Sequence, residues 1–159
     1  MKRQITPLLL AAGMIGCATM VPALVTAQEA DASTQGAIDF RESTMTIYKW
    51  YLQPMGGMVK GKIPFDAKVF ADKAAGLATA ASLDLTAGFP KDSHEDTEAK
   101  PEIWQNWDDF VAKHKALQKE SQKLQEVAAG GDMDAMKEQF GATAKTCKGC
   151  HDDFREKKK

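Results

Sequence analysis

From Met133 to Arg155 the chain reads MDAMKEQFGATAKTCKGCHDDFR. Met133, Met136, Phe140, Thr143, Cys147, Cys150 and Phe154 follow one another at alternating steps of three and four, which puts them on one face of a helix. Asp132 stands where an N-cap belongs, and Lys157 to Lys159 lie where the helix dipole favours positive charge. Gly130-Gly131 closes the element before it, which Pro101 opens. Ile103, Trp107, Phe110, His114, Leu117, Ser121, Leu124 and Ala128 repeat the same spacing there. From Leu83 to Lys100 no period holds, and Gly88, Pro90, Ser93 and several acids mark a long surface loop of the kind that is often functional.

Further toward the N-terminus, Asp66 caps a helix to about Ser82 whose face is Val69, Phe70, Ala74, Leu77, Ala78 and Ala81. Its alanines permit close approach of another helix. Ile38, Met45, Tyr48, Leu52, Met55 and Val59 trace the first helix after a polar leader from Gln28 to Thr34. Pro54 falls inside its last turns, and Gly61 and Ile63-Pro64 mark the connection. Four amphipathic segments without a strand signal predict an all-α, antiparallel four-helix bundle.

The first 27 residues read differently. Lys2 and Arg3 precede an apolar run from Leu8 to Ile15, and Val25-Thr26-Ala27 suits cleavage before Gln28. Pro22 interrupts the length a membrane-spanning helix needs. The expectation is a cleaved secretory signal over 1–27, which removes Cys17, and a four-helix-bundle domain over 28–159 exported to the periplasm. Losing Lys2 and Arg3 takes the formal net charge from −1 to −3. A chain without a basic surplus is not built for nucleic acid, and no membrane insertion is expected of the mature part.

Cys147-Lys148-Gly149-Cys150-His151 is a C-x-x-C-H pattern, the spacing of covalent haem attachment. Thiols at i and i+3 can bond the two vinyl groups of one porphyrin, and the adjacent His becomes an axial iron ligand. On the helical seam both thiols project the haem into the bundle. A structural zinc site needs four ligands, and only His94 and His114 remain to complete one. A thioredoxin-like pair needs a βαβ context, and a plain disulfide leaves His151 unexplained.

A single such motif near the C-terminus of an exported four-helix bundle resembles cytochrome c′, a family of this architecture. Arg41-Glu42-Ser43-Thr44-Met45 is similar to the family's first-helix motif, and Lys60 to Asp66 to its connection into the second helix. Lys100 to Trp104 is similar to the opening of its third helix, and Cys147 to Arg155 to its haem-binding end. The resemblance implies one covalent haem c on Cys147 and Cys150, with His151 the single axial protein ligand to iron. It implies that Met45 covers the other haem face and that Arg41 contacts a propionate. Glu42, where the family often has Gln, and Glu98 are implied near the propionates, and Arg155 near the proximal face. A homodimer is implied, and Trp50 and Tyr51, flanking the main stripe of the first helix, suit its surface.

The resulting expectation is a high-spin, five-coordinate iron that binds nitric oxide and carbon monoxide or passes single electrons to a redox partner protein still unknown. The alternative is a low-spin His/Met electron carrier with Met45 as sixth ligand. No enzyme is expected, because no distal acid–base pair accompanies Met45. His114 reads as a satisfied bundle histidine, His94 as solvated, and Tyr48, Trp104, Trp107 and Phe140 as core or haem-packing aromatics.

Overall fold

The computed structural model describes residues 27–157. The expected export signal, apart from Ala27, lies outside them. The described chain forms α1 (Ala27–Val59), α2 (Ala67–Ala81), a 3₁₀ turn over Leu85–Gly88, α3 (Glu102–Gln105), α4 (Trp107–Ala129) and α5 (Met133–Phe154). Among the described residues there is no strand, and one isolated antiparallel bridge joins Ala99 to Arg155.

The long helix α1 includes Gln28 to Thr34, so the supposed polar leader is helical. Its Ala, Gln and Glu residues are good helix formers, and polarity alone did not make them a loop. The helix also runs through Pro54 to Val59. Proline has no N–H for the ladder, and burial of Met55 and Met58 just beyond it offsets that loss. The end is a Schellman motif. Lys62 N donates to Gly57 O at 2.9 Å, Gly61 N to Met58 O at 3.1 Å, and Gly61 takes the left-handed φ of 66° between them.

Two carboxylates start helices where the sequence places them. Asp66 Oδ1 accepts from Val69 N at 2.9 Å and Asp132 Oδ1 from Ala135 N at 2.8 Å. The third expected helix is two. At Asn106 the backbone leaves the helical region (φ −125°, ψ 46°), and its side-chain amide donates to Glu102 O at 3.0 Å. A short amide that bonds the backbone in a non-helical conformation competes with the helix. α4 restarts when Phe110 N bonds Asn106 O.

α4 packs extensively on both α2 and α5, and α1 on α2, whereas α1 and α5 barely meet. The bundle is therefore open along the α1–α5 edge. At one end Phe65, Phe70 and Phe140 form an aromatic chain. At the other, Phe110 takes Phe89 and Phe154 edge-on at 4.7 and 5.6 Å between centroids. Two positions of the expected stripes point outward. Val69 and Met133 are exposed, each in the first turn of its helix. Tyr51 lies over Gly76 of α2, where an added Cβ would come within 2.2 Å of the ring.

Candidate functional site

The open edge is a cleft of about 1670 Å³. Its α5 wall carries Cys147, Cys150, His151 and Phe154, and its α1 wall carries Arg41, Met45, Tyr48 and Leu52. Ile103, Phe110, His114 and Leu117 form part of its floor. Both cysteines are free thiols, half-buried at the cleft although they lie on the helix's inner seam. Burial pushes both thiols up, that of Cys150 to about 11, so they are neutral at ordinary pH. Burial, and then the Arg155 cation, hold the His151 imidazole below the usual histidine value. The neutral ring is the form that can ligate iron.

Arg41 is almost fully buried, and four of its five guanidinium N–H groups are spent on the loop before α3. Nη1 donates to Gly88 O at 3.1 Å and to Ser93 Oγ at 2.8 Å; Nη2 donates to Ser93 O at 2.6 Å and to Thr97 Oγ1 at 3.1 Å. Its face lies 4.7 Å from the Phe89 ring centroid. The sequence marks Arg41 but gives no signal for these partners, which lie about fifty residues away. Glu42, one residue on, is exposed at the cleft. Met45 is half-buried against the core within the cleft.

The C-terminal end of α5 is tied to the same loop. Lys100 N donates to Phe154 O at 3.1 Å, and Glu156 N to Glu98 O at 2.8 Å. Lys100 Nζ reaches the last-turn carbonyls of Asp152 and Asp153, as cations do at helix C-termini. Glu98 and Arg155, far apart in sequence, thereby meet at the cleft rim, with Arg155 Nε 4.0 Å from Glu98 Oε2.

Two groups read as plain core residues prove unusual. Tyr48 Oη and His114 Nδ1 are buried at the cleft with no hydrogen-bond partner. His114 Nε2 lies 3.2 Å from Leu83 O, so only half of that ring is satisfied. Trp50 is exposed, with Lys73 Nζ 4.7 Å from its ring centroid. Tyr51, expected beside it on the surface, is half-buried over α2.

These residues fit a covalently held haem. The cleft exceeds the roughly 300–1,000 Å³ of ordinary small-molecule pockets and is mostly apolar. It presents two thiols one helical turn apart, an imidazole beside them, and orphaned polar atoms. Among the described residues no three His, Cys, Asp or Glu side chains converge to hold a bare metal ion. An iron carried in a porphyrin asks only an axial ligand of the protein.

Comparison with known proteins agrees. Residues 36–155 match the Cytochrome C' family. A cytochrome c′ from Halomonas halodenitrificans is 37% identical over 131 residues, covering 78% of this chain and 98% of the relative. The cytochrome c prime structure from Shewanella frigidimarina aligns with a TM-score of 0.75 at 36% identity, over 78% of this chain and 97% of that one. A point mutant of the Alcaligenes xylosoxidans cytochrome c prime, solved as its nitric oxide complex, aligns with a TM-score of 0.71 at 34% identity, over 79% and 97%. Another variant of that protein is solved with carbon monoxide bound (TM-score 0.70, 33% identity, 78% and 97%). With the fold, the cleft and the match running over the same residues, this chain belongs to the cytochrome c′ family and is a haem c protein.

Proposed function

We propose that this chain is an exported, periplasmic haem protein, cleaved after Ala27, that binds small uncharged gases such as nitric oxide and carbon monoxide or passes single electrons. One observation carries the reading. Cys147, Cys150 and His151 open from one helix into a cleft whose other wall carries Met45. The nitric oxide and carbon monoxide complexes of the Alcaligenes relative support the choice of ligand. Bound haem supplies an iron with one coordination position left to a small molecule.

The residues divide the work. Cys147 and Cys150 would hold the group by thioether bonds, and His151 would ligate the iron with its neutral imidazole. Met45, on the opposite wall, would cover the side of the haem away from His151 and leave the iron five-coordinate. Arg41 acts through the loop it anchors, with its fifth N–H available to a propionate. Glu98 and Arg155 form the polar rim on the proximal side, and Glu42 faces solvent at the mouth. Binding and electron transfer, rather than catalysis, are what this set can do.

The thioether of Met45 also favours a second reading, a six-coordinate His/Met electron carrier. Optical spectra of the purified holoprotein separate the two. A high-spin ferric spectrum is expected, and a low-spin one that turns high-spin in Met45→Ala establishes the carrier. Mass spectrometry should give the chain from Gln28 plus one haem that survives acid–acetone treatment. Haem released into the solvent overturns the covalent assignment.

A further inference from the structure

Tyr48 is 4% exposed, and its hydroxyl is buried without a partner while lining the cleft. A buried polar group left unbonded is costly, so an orphan at a ligand cleft marks a place where something else completes the bond. We propose that the Tyr48 hydroxyl is a hydrogen-bond donor to the small heteroatom ligand of the cleft, favouring ligands that carry negative charge on their outer atom. This rests on the haem-binding reading above.

Three observations single out Tyr48. The buried unpartnered side-chain atoms among the described residues are Tyr48 Oη, His94 Nδ1 and His114 Nδ1, and of these only Tyr48 and His114 line the cleft. His114 Nε2 sits 3.2 Å from Leu83 O, which places its proton there and leaves Nδ1 an acceptor. The donor is therefore the phenol. Second, Tyr48 follows Met45 by three residues, and side chains so spaced are neighbours on a helix surface. The hydroxyl and the covering thioether thus come from adjacent positions of one wall. Third, two cations of the cleft wall near Tyr48 and Cys150 are already engaged: Arg41 is held by the loop, and Lys113 Nζ is paired with Asp153 at 2.9 Å.

The phenol also stays a donor. Burial first, and then the neighbouring Cys147 sulfur, push it up to about 12. A thioether at Cys147 cannot ionise, and the burial of the phenol, the larger cause, stays in place. A donor aimed at the outer atom discriminates by the charge there, since a site built to bond such an atom penalises a ligand that cannot accept. Bound nitric oxide or dioxygen should gain more from Tyr48 than carbon monoxide does.

The test uses the full holoprotein and its Tyr48→Phe variant, which keeps the ring. The probes are carbon monoxide and nitric oxide on the ferrous protein. The C–O stretch of the unsubstituted protein should shift between H₂O and D₂O and should rise in the variant, where the solvent dependence disappears. Nitric oxide should dissociate about two- to tenfold faster from the variant, the worth of one hydrogen bond. The solvent comparison needs no substitution, so it holds even if the variant folds poorly. A C–O stretch insensitive to D₂O, or frequencies and rates equal in both proteins, overturns the role of Tyr48 and leaves the haem assignment standing. A chain without covalent haem, or one that takes up no carbon monoxide, overturns the function and this inference together.

Discussion

Met45 is held half-buried in the cleft by the core around it. Interiors are close-packed, so a ligand that enters beside it must displace a fixed side chain, and that displacement adds to the barrier. Met45→Ala should therefore speed carbon monoxide binding by roughly ten- to hundredfold, the effect of lowering a barrier by about 1.4 to 2.7 kcal/mol. Stopped-flow mixing of the ferrous protein checks this, and an unchanged rate would remove Met45 from the path. His114 makes a different prediction. Burial lowers its pKa below 6.5, opposed by the bond to Leu83 O and by the nearby Asp84 carboxylate. The unfolded chain therefore takes up this proton more readily than the folded one. Stability is fully present above about pH 6.5 and falls as pH drops through that value toward the folded-state pKa, by at most about 1.4 kcal/mol per pH unit. His114→Gln should flatten this slope in urea titrations between pH 7 and 5. An equally steep slope in the variant would assign the proton elsewhere.

Among the helices, the contact of α1 with α2 depends on one absent side chain. Gly76 lies beneath Tyr51, and an added Cβ would stand 2.2 Å from the ring. Alanine gains about 1 kcal/mol of helix propensity over glycine, whereas overpacking costs about 1–3 kcal/mol. At that distance overpacking wins, so Gly76→Ala should lower the unfolding midpoint, and adding Tyr51→Ala should relieve the clash. Gly141 is the control. It lies inside α5 with nothing within 4 Å of an added Cβ, so Gly141→Ala should stabilise by up to about 1 kcal/mol. Denaturant melts of the three variants test both signs together. The loop from residue 83 to 100 belongs to the same scale. Arg41 fixes its centre, and the pairing of residues 98–100 with 154–156 fixes its end. A segment without sequence period thus becomes a fixed rim of the cleft.

For the whole molecule, the open α1–α5 edge forms the cleft, and Trp50 stands exposed on its rim. Trp50 and Ile47 of α1 are exposed, and Val69 of α2 is exposed as well. Scattered exposed apolar residues are normal, but an aromatic is a common interface centre. Tyr51 is spent within the chain, so Trp50 is the side chain on which the expected homodimer depends. Sedimentation at micromolar concentration should report a dimer, and Trp50→Glu should shift it toward monomer without loss of haem. A monomer at every accessible concentration would remove the assembly and leave the site untouched.

The helical periods of three and four, the carboxylate caps at Asp66 and Asp132, and the Cys147–His151 motif are local properties. The sequence by itself determined them, because each depends on residues a few positions apart along one helix. The same local reading went astray where polarity stood in for propensity, at the start of α1, and where Asn106 outcompeted the helix between α3 and α4. Only the tertiary structure decided which apolar positions line a cleft rather than a core. That outcome depends on α1 and α5 failing to close on each other. It also decided that Arg41 grips Gly88, Ser93 and Thr97, that Glu98 meets Arg155, and that Tyr48 and His114 keep unpartnered atoms at the cleft. These pairings join residues tens of positions apart. Neither helical spacing nor propensity carries that information, because it arises only when the packed elements bring distant polar groups to one place.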